Sequence, residues 1–230
     1  MTLNNTPMNI NDISKCNIFA GLAPETIEDI LLSVQTEEPL FKKGDLLALQ
    51  GEPCNRLIII TKGSVKAEMI DPSGKVVKVE DITAPQALAI LFLFGKKNKF
   101  PVQVTAHEDV EALVIHKQSV LKMLSKNEQL LKNYLDVSAN YATVLTEKLN
   151  IMSFRTIRQK LSMYILNLSD GENNVKLDRS QNALAEYFGV SRPSLARELR
   201  NMQDDGLIEV DNKKIVIRDK NKLVHMIKFL

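Results

Sequence analysis

Cysteine is scarce in this sequence, which contains Cys16 and Cys54 and no other cysteine in 230 residues. Two cysteines are too few for a disulfide framework. Neither lies in a Cys-x-x-Cys pair or in a Cys/His cluster with the spacing of metal ligands, so no metal site is predicted. We expect both to be thiols in a reducing compartment.

Long apolar runs are also missing. No stretch approaches the roughly 18 uninterrupted apolar residues of a membrane span. The first residues, MTLNNTPMNINDIS, lack the basic-then-apolar order of a secretion signal. A hydrophobic content of 44% and a charged content of 25% fit an ordinary globular protein of one large or two modest domains. We expect a cytoplasmic protein with no membrane partner.

Catalytic motifs are absent from the chain. It contains no GxxxxGK[ST] phosphate loop, no GxSxG nucleophile turn and no HExxH metalloprotease motif. The sequence therefore predicts a protein that is not an enzyme.

Positive charge is concentrated towards the end of the chain. Residues 152–230 carry 14 Lys and Arg against 10 Asp and Glu, a net charge of +4, whereas residues 1–151 carry 16 against 18, a net charge of −2. This asymmetry indicates a polyanion-binding module joined to a neutral or acidic one.

The first half of the chain has the pattern of antiparallel strands. Short β-prone runs at 57–61, 64–70 and 75–82 are separated by the turn sequences KGS and DPSGK. They predict an antiparallel roll or sandwich between Leu40 and about Ile115. Apolar residues at helical spacing after a proline predict a short helix over 23–34 that packs on it.

The segment from Lys117 to Asn150 has no proline or glycine and predicts one long helix. A seam with alternating spacings of four and three residues, typical of a coiled coil, runs along it. The seam residues, predicted to form a dimer interface, are Leu131, Leu135, Ser138, Ala142, Leu145, Leu149 and Met152. The alternative is that the helix packs on the β domain of its own chain, and a second set of apolar residues could make these contacts. These are Tyr134, Val137, Tyr141 and Val144. We expect both kinds of contact.

A helix-turn-helix is predicted after residue 180. Ser180 can cap a first helix that ends at Gly189, and Ser191 can cap a second helix. Pro193 falls in the first turn of that second helix, where its missing N–H removes no helical hydrogen bond. Leu195 and Leu199 would hold the helix to its neighbour and leave a basic face outside.

Two β-prone runs around residues 211–213 predict a hairpin, so the unit reads as a winged helix with a basic wing tip. The guanidinium groups of Arg192 and Arg197 match the O6/N7 edge of guanine, and we predict that both contact bases. Ser180, Gln181, Ser191, Ser194, Lys213 and Lys214 are the predicted phosphate contacts. The alternative for the arginines is a solvated surface.

The sequence resembles the Crp/Fnr transcriptional regulators over nearly its whole length. The resemblance runs from CNIFAGLAPETIEDI through KKGDLLALQGEPCNRLIIITKGSVKAEM to NALAEYFGVSRPSLARELRNMQDDGLIEV, the most specific segment. It implies a homodimer that binds a palindromic operator in double-stranded DNA, responds to a small effector and contacts RNA polymerase. A glutamate usually stands at the position of Pro193, so the base preference that it gives is not carried over.

The resemblance implies an α+β fold in three parts. Residues 1–116 would form a β-roll of the cyclic-nucleotide-binding (jelly-roll) type with an N-terminal helix, which senses the effector. Residues 117–151 would form the dimerisation helix, and residues 152–230 the winged helix-turn-helix that binds DNA.

The sensor region departs from the members that bind cyclic AMP. Those members have a Gly-Glu pair and an arginine that neutralises the cyclic phosphate, whereas residues 84–106 have no Gly-Glu and place Phe100-Pro101 where the arginine should fall. A desolvated phosphate would lack its counter-charge, so we expect no cyclic AMP binding. The apolar run LAILFLF (88–94) indicates either plain core or a pocket for an apolar effector. The predicted pocket residues are Leu91, Phe92, Phe100 and Val102.

Two other forms of the same function stay open. The oxygen-sensing branch of the family needs a four-cysteine iron–sulfur ligand set, which two cysteines cannot supply. Other branches bind haem and respond to nitric oxide or carbon monoxide, and the candidate ligands here are His107, His116, Met69 or a cysteine, without diagnostic spacing. A dimer that binds DNA constitutively, with the roll only as a scaffold, is the other alternative.

Overall fold

A computed structural model describes residues 10–71, 73–169 and 171–228. Contacts divide the chain into two compact units, one up to Tyr141 and one from Ala142. This division differs from the boundaries at 116 and 151 that the sequence predicts. The difference arises because residues near the end of the long helix pack with the second unit, where Ile151 is buried in the core.

The first unit contains the predicted antiparallel strands. They are β1 (Thr36–Glu37), β2 (Leu40–Phe41), β3 (Leu46–Ala48), β4 (Arg56–Lys62), β5 (Ser64–Ile70), β6 (Val76–Thr83), β7 (Gln86–Leu88), β8 (Gln103–Ala106) and β9 (Val110–His116). One sheet runs in the order β1-β9-β4-β7, with β2 also pairing with β9, and the other in the order β3-β8-β5-β6.

One hydrophobic core lies between the two sheets. The run from Leu57 to Ile60 in β4 is buried throughout, as expected for a central strand, and Val65 of β5 joins it from the other sheet. Each sheet is antiparallel, so the predicted roll is confirmed.

Helices cover the first unit. They are α1 (Ile10–Ile13), α2 (Pro24–Leu32) and α3 (Lys117–Lys126), with a 3₁₀ turn at Asn17–Phe19. Pro24 begins α2, and Ile27 and Leu31, four residues apart, bury one face of it in the core. The predicted helix over 23–34 is thereby confirmed with a slightly shorter span.

The prediction of a single helix from Lys117 to Asn150 is wrong in one respect. The chain leaves α3 at Asn127 and begins a second helix, α4 (Glu128–Ser153). Asn127 has extended dihedrals of −134° and 110°, and its side-chain oxygen accepts a hydrogen bond from the Leu130 N–H at 2.8 Å. This is the geometry of a helix N-cap, which makes a new start more stable than continuation.

The second unit contains the winged helix-turn-helix. After the end of α4 come α5 (Ile157–Ser169), β10 (Asn174–Lys176), α6 (Gln181–Phe188), α7 (Arg192–Asp204), β11 (Ile208–Asp211), β12 (Lys214–Ile217) and α8 (Lys220–Lys228). The strands form an antiparallel sheet in the order β10-β12-β11. The hydrophobic core of the second unit includes Leu161, Leu184, Leu195 and Ile215. The α+β class predicted from the sequence is confirmed.

No helix among the residues that the structure describes is long and apolar enough to cross a membrane.

Candidate nucleic-acid interface

The first helix of the helix-turn-helix begins and ends at the predicted caps. The Ser180 hydroxyl accepts a hydrogen bond from the Ala183 N–H at 3.2 Å, and Gly189 closes α6 with a φ of 67°. This φ lies in the left-handed region, which glycine adopts without the steric cost that a Cβ brings. The tight turn that follows lets α7 begin at Arg192.

The second helix is capped by Ser191, whose hydroxyl accepts a hydrogen bond from the Ser194 N–H at 3.3 Å. The hydroxyl oxygens of Ser191 and Ser194 are 2.8 Å apart and share a second hydrogen bond. Both predicted phosphate contacts therefore lie together at the N-terminus of α7, where free N–H groups and the helix dipole favour an anion. Ser180 and the half-buried Gln181 lie at the corresponding end of α6.

The arginines of α7 are available to an outside partner. Arg192, Arg197 and Arg200 are exposed, and their side chains form no hydrogen bond or ion pair within the part of the chain that the structure describes. Leu195, Leu199 and Met202 are buried on the side of the helix opposite Arg197 and Arg200. The helix thus presents positive charge outward while its apolar side fixes it to the domain.

Two acidic residues, Glu198 on α7 and Asp205 just after its end, are neutralised by one residue of α5. Arg158 Nη1 lies 2.7 Å from Asp205 Oδ2, and Arg158 Nε donates a hydrogen bond to Glu198 Oε1. The bond to Glu198 raises the pKa of Arg158 above its ordinary value. Glu198 therefore points inward to α5, away from the outward Arg197 and Arg200.

Pro193 lies in the middle of the outward face of α7. At 3.6 residues per turn, Pro193, Arg197 and Arg200 share one side of the helix, opposite Leu195 and its buried neighbours. Pro193 is therefore both a helix starter, as predicted, and a residue of the outward face. Arg192 does not lie on this line: it is exposed at the start of the helix, about 100° around the helix from Pro193 and about 20° from the angular position of Leu199.

The wing is formed by β11 and β12, which pair from Ile208↔Ile217 to Asp211↔Lys214. The connecting turn is Asn212–Lys213, and Asn212 has a φ of 53°. Asparagine tolerates this left-handed conformation better than most residues. Lys213 and Lys214, the predicted phosphate contacts of the wing, are exposed at the tip.

The strand β10, which pairs with the outer edge of β12, is not among the elements predicted from the sequence. Its only sequence signal is the alternation of polar and apolar residues in Asn174-Val175-Lys176-Leu177, shortly after Gly171. Val175 faces the core and Lys176 faces solvent. This strand adds Lys176 to the basic residues of the wing.

A cluster of charged and aromatic side chains holds the start of α6. Arg179 donates hydrogen bonds from Nε and Nη2 to the Asp178 carboxylate at 2.9 and 2.8 Å. Its guanidinium carbon lies 4.2 Å from the ring centroid of Tyr187, and Lys148 Nζ lies 5.5 Å from the same centroid. Arg179 lowers the pKa of Asp178, which also accepts the hydroxyl of Tyr164. The cluster fixes the residue that precedes the cap of α6.

The predicted seam on α4 is largely uncovered. Leu135, Leu145 and Leu149 are 57%, 50% and 71% exposed. Leu131, Ala142 and Met152 are exposed as well. Ser138 differs, because its hydroxyl oxygen is buried and has no hydrogen-bond partner in the described residues. The seam is therefore an apolar stripe interrupted at Ser138.

The second apolar set on α4 packs within the first unit, as expected. Tyr134 is buried and donates a hydrogen bond from its hydroxyl to the carbonyl of Ile90 at 2.7 Å, while Val137 and Tyr141 pack against the same core. Val144 is the exception, with 56% exposure.

The predicted effector pocket lies in the segment after β7. Leu91, Phe92 and Val102 are half-buried against the core, and Phe100 is fully buried. The guanidinium of Arg56 lies 5.5 Å from the centre of the Phe100 ring. Arg56 is already engaged, because it forms an ion pair with Glu52 at 2.8 Å and donates to the carbonyl of Leu47 at 3.1 Å. Its charge is therefore compensated inside the protein.

The candidate haem ligands do not fit a haem. His107 and His116 are exposed at strand ends, and His116 Nε2 lies 3.2 Å from Glu37 Oε1. Met69 is exposed on the β5–β6 hairpin. Cys16 and Cys54 are buried in the packed core, where burial raises the pKa of the Cys54 thiol to about 11 and favours the protonated form, a poor ligand. Within the described residues no cluster of three or more His, Cys, Asp or Glu could hold a metal ion.

Comparison with known proteins identifies both units. Residues 39–127 match the cyclic nucleotide-binding domain, and residues 159–226 match the Crp-like helix-turn-helix domain. The chain is 22% identical over 220 residues to the CRP-like cAMP-activated global transcriptional regulator of Mycobacterium tuberculosis, an alignment that covers 92% of this chain and 96% of the relative.

Two further proteins extend this similarity. The cAMP-activated global transcriptional regulator CRP of Salmonella typhimurium is 25% identical over 177 residues, which cover 73% of this chain and 83% of the relative. The crystal structure of the Thermus thermophilus Catabolite Activator Protein has the same fold, with a TM-score of 0.56 and 19% identity over 92% of this chain and 98% of that one. With both domains matched in this order, the chain belongs to the Crp/Fnr family of DNA-binding transcriptional regulators.

Proposed function

We propose that this regulator acts as a homodimer on an inverted-repeat operator and that Arg192 and Arg197 read its bases. The observation that carries the proposal is the state of the α7 arginines, which are exposed and unpaired while Glu198 of the same helix is held by Arg158. Unpaired guanidinium groups, one at the first turn of a recognition helix and one on its outer face, can each bind guanine in the major groove with two hydrogen bonds.

Phosphate contacts would orient this helix. Ser180 and Gln181 at the start of α6, Ser191 and Ser194 at the start of α7, and Lys213 and Lys214 on the wing lie on the same domain as the arginines. Such contacts set register and affinity but carry no sequence information. Bound to bacterial DNA in the cytoplasm, the dimer would act on transcription through contact with RNA polymerase.

The dimer would form through α4. Its exposed leucines continue over several helical turns, and an exposed apolar stripe of this kind is stabilised by a partner helix. Since a twofold dimer presents two α7 helices about 34 Å apart, its binding site should be an inverted repeat with about one turn of DNA between half-site centres.

Selection of bound sequences from a randomised DNA pool tests this function. We expect an inverted repeat with guanines in each half-site. Enrichment of a single, non-repeated site would contradict the dimeric mode, and recovery of random sequences would contradict base readout.

We also propose that cyclic AMP is not the effector. A cyclic phosphate near Phe100 would meet a buried ring and an arginine that Glu52 already neutralises. Leaving a phosphate uncompensated costs several kcal/mol. An apolar effector would instead suit the side chains of Leu91, Phe92 and Val102. The second candidate is a dimer that binds DNA constitutively without an effector. The dense packing around Phe100 favours this second candidate.

Isothermal titration calorimetry with millimolar cyclic AMP tests this second proposal. We expect no heat of binding and no change in DNA affinity. Micromolar binding would contradict it.

A further inference from the structure

The last turns of α4 pack directly on the helix-turn-helix. Ile151 is 2% exposed and belongs to the hydrophobic core of the second unit. Lys148, one turn earlier on the same side of α4, has its ammonium 5.5 Å from the centre of the Tyr187 ring on α6. A Cβ placed on Gly189, in the turn between α6 and α7, would lie 3.7 Å from the methyl carbon of Met152. These residues join the end of α4 to the first helix of the helix-turn-helix and to its turn.

The same turns of α4 carry the predicted seam. At 100° per residue, the exposed Leu145 and Leu149 lie about 60° and 100° around the helix from Lys148. Met152 lies between the two sides, about 40° from Lys148 and about 60° from Leu149. One side of this stretch of α4 is therefore available to a partner helix, while the neighbouring side holds the helix-turn-helix of its own chain.

The ring of Tyr187 contacts two cations. Arg179, which precedes the cap of α6, has its guanidinium carbon 4.2 Å from the ring centroid, and two hydrogen bonds to the Asp178 carboxylate fix it there. Lys148 has no ion pair among the residues that the structure describes, so the ring is the partner of its charge. A cation–π contact depends on where the cation lies over the ring, and it therefore constrains orientation more than plain apolar packing does.

We propose that Lys148 and Tyr187 position the recognition helix relative to the paired α4 helices. The contact would set the angle at which α6, and α7 with it, leaves α4, so that the two α7 helices of a dimer keep the spacing that an inverted repeat requires. The proposal rests on the proposed dimer through α4 and adds to it the residues that carry the dimer geometry to α7. Neither side chain would touch DNA, so both are positioning residues.

Operator binding by full-length variants tests the contact. Lys148→Met removes the charge but keeps the apolar stem, and it should weaken binding to the selected inverted repeat about fivefold, within the range of one cation–π contact. Tyr187→Leu should have the same effect. Lys148→Arg and Tyr187→Phe keep a cation and a ring, and they should restore wild-type affinity because the Tyr187 hydroxyl forms no hydrogen bond in the described part of the chain. Lys117→Met is the matched control, since Lys117 lies at the same 5.5 Å from the ring centre of Phe94 in the first unit.

Salt dependence separates positioning from a direct DNA contact. A positioning residue changes affinity for the operator without changing the number of phosphates contacted, so Lys148→Met should keep the wild-type slope of log K against log salt. Its affinity for random DNA should also be unchanged, because such binding does not require two α7 helices in register. A slope reduced by about 1.8, one phosphate per subunit, would show that Lys148 contacts DNA and would overturn the positioning role.

The spacing of the two helix-turn-helix units can be measured without DNA. Spin labels at Asn182→Cys, an exposed position of α6, report the distance between subunits by double electron–electron resonance, while the buried Cys16 and Cys54 are protected from the label. Tyr187→Leu should broaden the distance distribution, and Tyr187→Phe should restore the wild-type width. A purely structural role would lower Tm but leave the distribution of the folded dimer unchanged, and equal widths in the wild type and Tyr187→Leu would overturn the proposal.

The wild type distinguishes failure of this contact from failure of the proposed function. If the wild type is a monomer or binds no inverted repeat, the proposed function fails and the positioning contact with it. If the wild type is a dimer that binds the repeat, and Lys148→Met and Tyr187→Leu bind it as tightly as Lys117→Met does, the positioning contact is wrong while the proposed function stands.

Discussion

Arg158 of α5 and Glu198 of α7 form a hydrogen-bonded ion pair that fixes the recognition helix to the helix beneath it. Both side chains are mostly buried, with 30% and 20% exposure, and Arg158 also binds Asp205. The pair locks the inner side of α7 against α5.

Arg158→Met should lower the stability of the second unit by about 1–3 kcal/mol, because it leaves the Glu198 carboxylate partly buried without its partner. Urea unfolding measures the change. Arg218→Met is the control, since Arg218 pairs with Glu209 where both side chains are more than half exposed. Surface pairs of this kind contribute little, so the control should change stability by less than about 1 kcal/mol. Equal losses in the two variants would argue against the fixing role of Arg158.

The seam on α4 predicts the oligomeric state. Replacing Leu145 and Leu149 by lysine should give monomers that lose operator binding, because four charges would be buried in the paired helices. Leu32→Lys is the control, since Leu32 is 75% exposed on α2, outside the seam. Light scattering that shows an intact dimer for the Leu145→Lys/Leu149→Lys variant would refute the predicted interface.

Substitution of Pro193 on the outward face of α7 should change the base preference of the protein. Its ring offers only apolar contact, whereas a glutamate at this position can accept a hydrogen bond from cytosine N4. Pro193→Glu should therefore favour cytosine at one symmetric pair of operator positions by about 1–3 kcal/mol. Pro193→Ala keeps an apolar residue and should retain the wild-type preference. Selected DNA pools from the two variants decide this, and identical preferences would show that Pro193 does not face a base.

The Asp178 carboxylate should make the stability of the second unit depend on pH. Arg179 lowers the pKa of Asp178 in the folded state, so the ionised carboxylate stabilises the fold above its unfolded pKa of about 3.9. This contribution is lost as the pH falls through the folded pKa. Asp178→Asn should thus be less stable than the wild type near pH 7, and the gap should narrow below about pH 4. Urea unfolding of both proteins at several pH values measures this difference in stability. A difference that does not change with pH would show that the charge of Asp178 is not its cause.

Local signals predicted much of this structure. The run SVKAEMI coincides with β5, and the caps at Ser180, Gly189 and Ser191 lie where the sequence places them. Each depends on a few adjacent residues, such as a hydroxyl near a free N–H or a glycine at a left-handed position. Such features are therefore readable without knowledge of the tertiary structure.

Features that depend on distant residues were not predictable in the same way. The strand β10 is short and is stabilised by its pairing with β12, some 40 residues later. The partner of Glu198 is Arg158, 40 residues earlier. The break at Asn127 is an intermediate case, because asparagine is a common helix cap but also occurs within helices, and the uninterrupted pattern around it favoured one helix.

The most direct test of base readout is Arg197→Ala, compared with Lys213→Ala in binding to selected and randomised DNA at several salt concentrations. Arg197→Ala should cost about 1–3 kcal/mol for each lost two-bond contact and relax the preference at one symmetric pair of positions. Lys213→Ala should weaken binding to all sequences alike and reduce the salt slope by about one unit per contact. If Arg197→Ala keeps the wild-type sequence preference and only reduces the salt slope, Arg197 contacts phosphate and not a base.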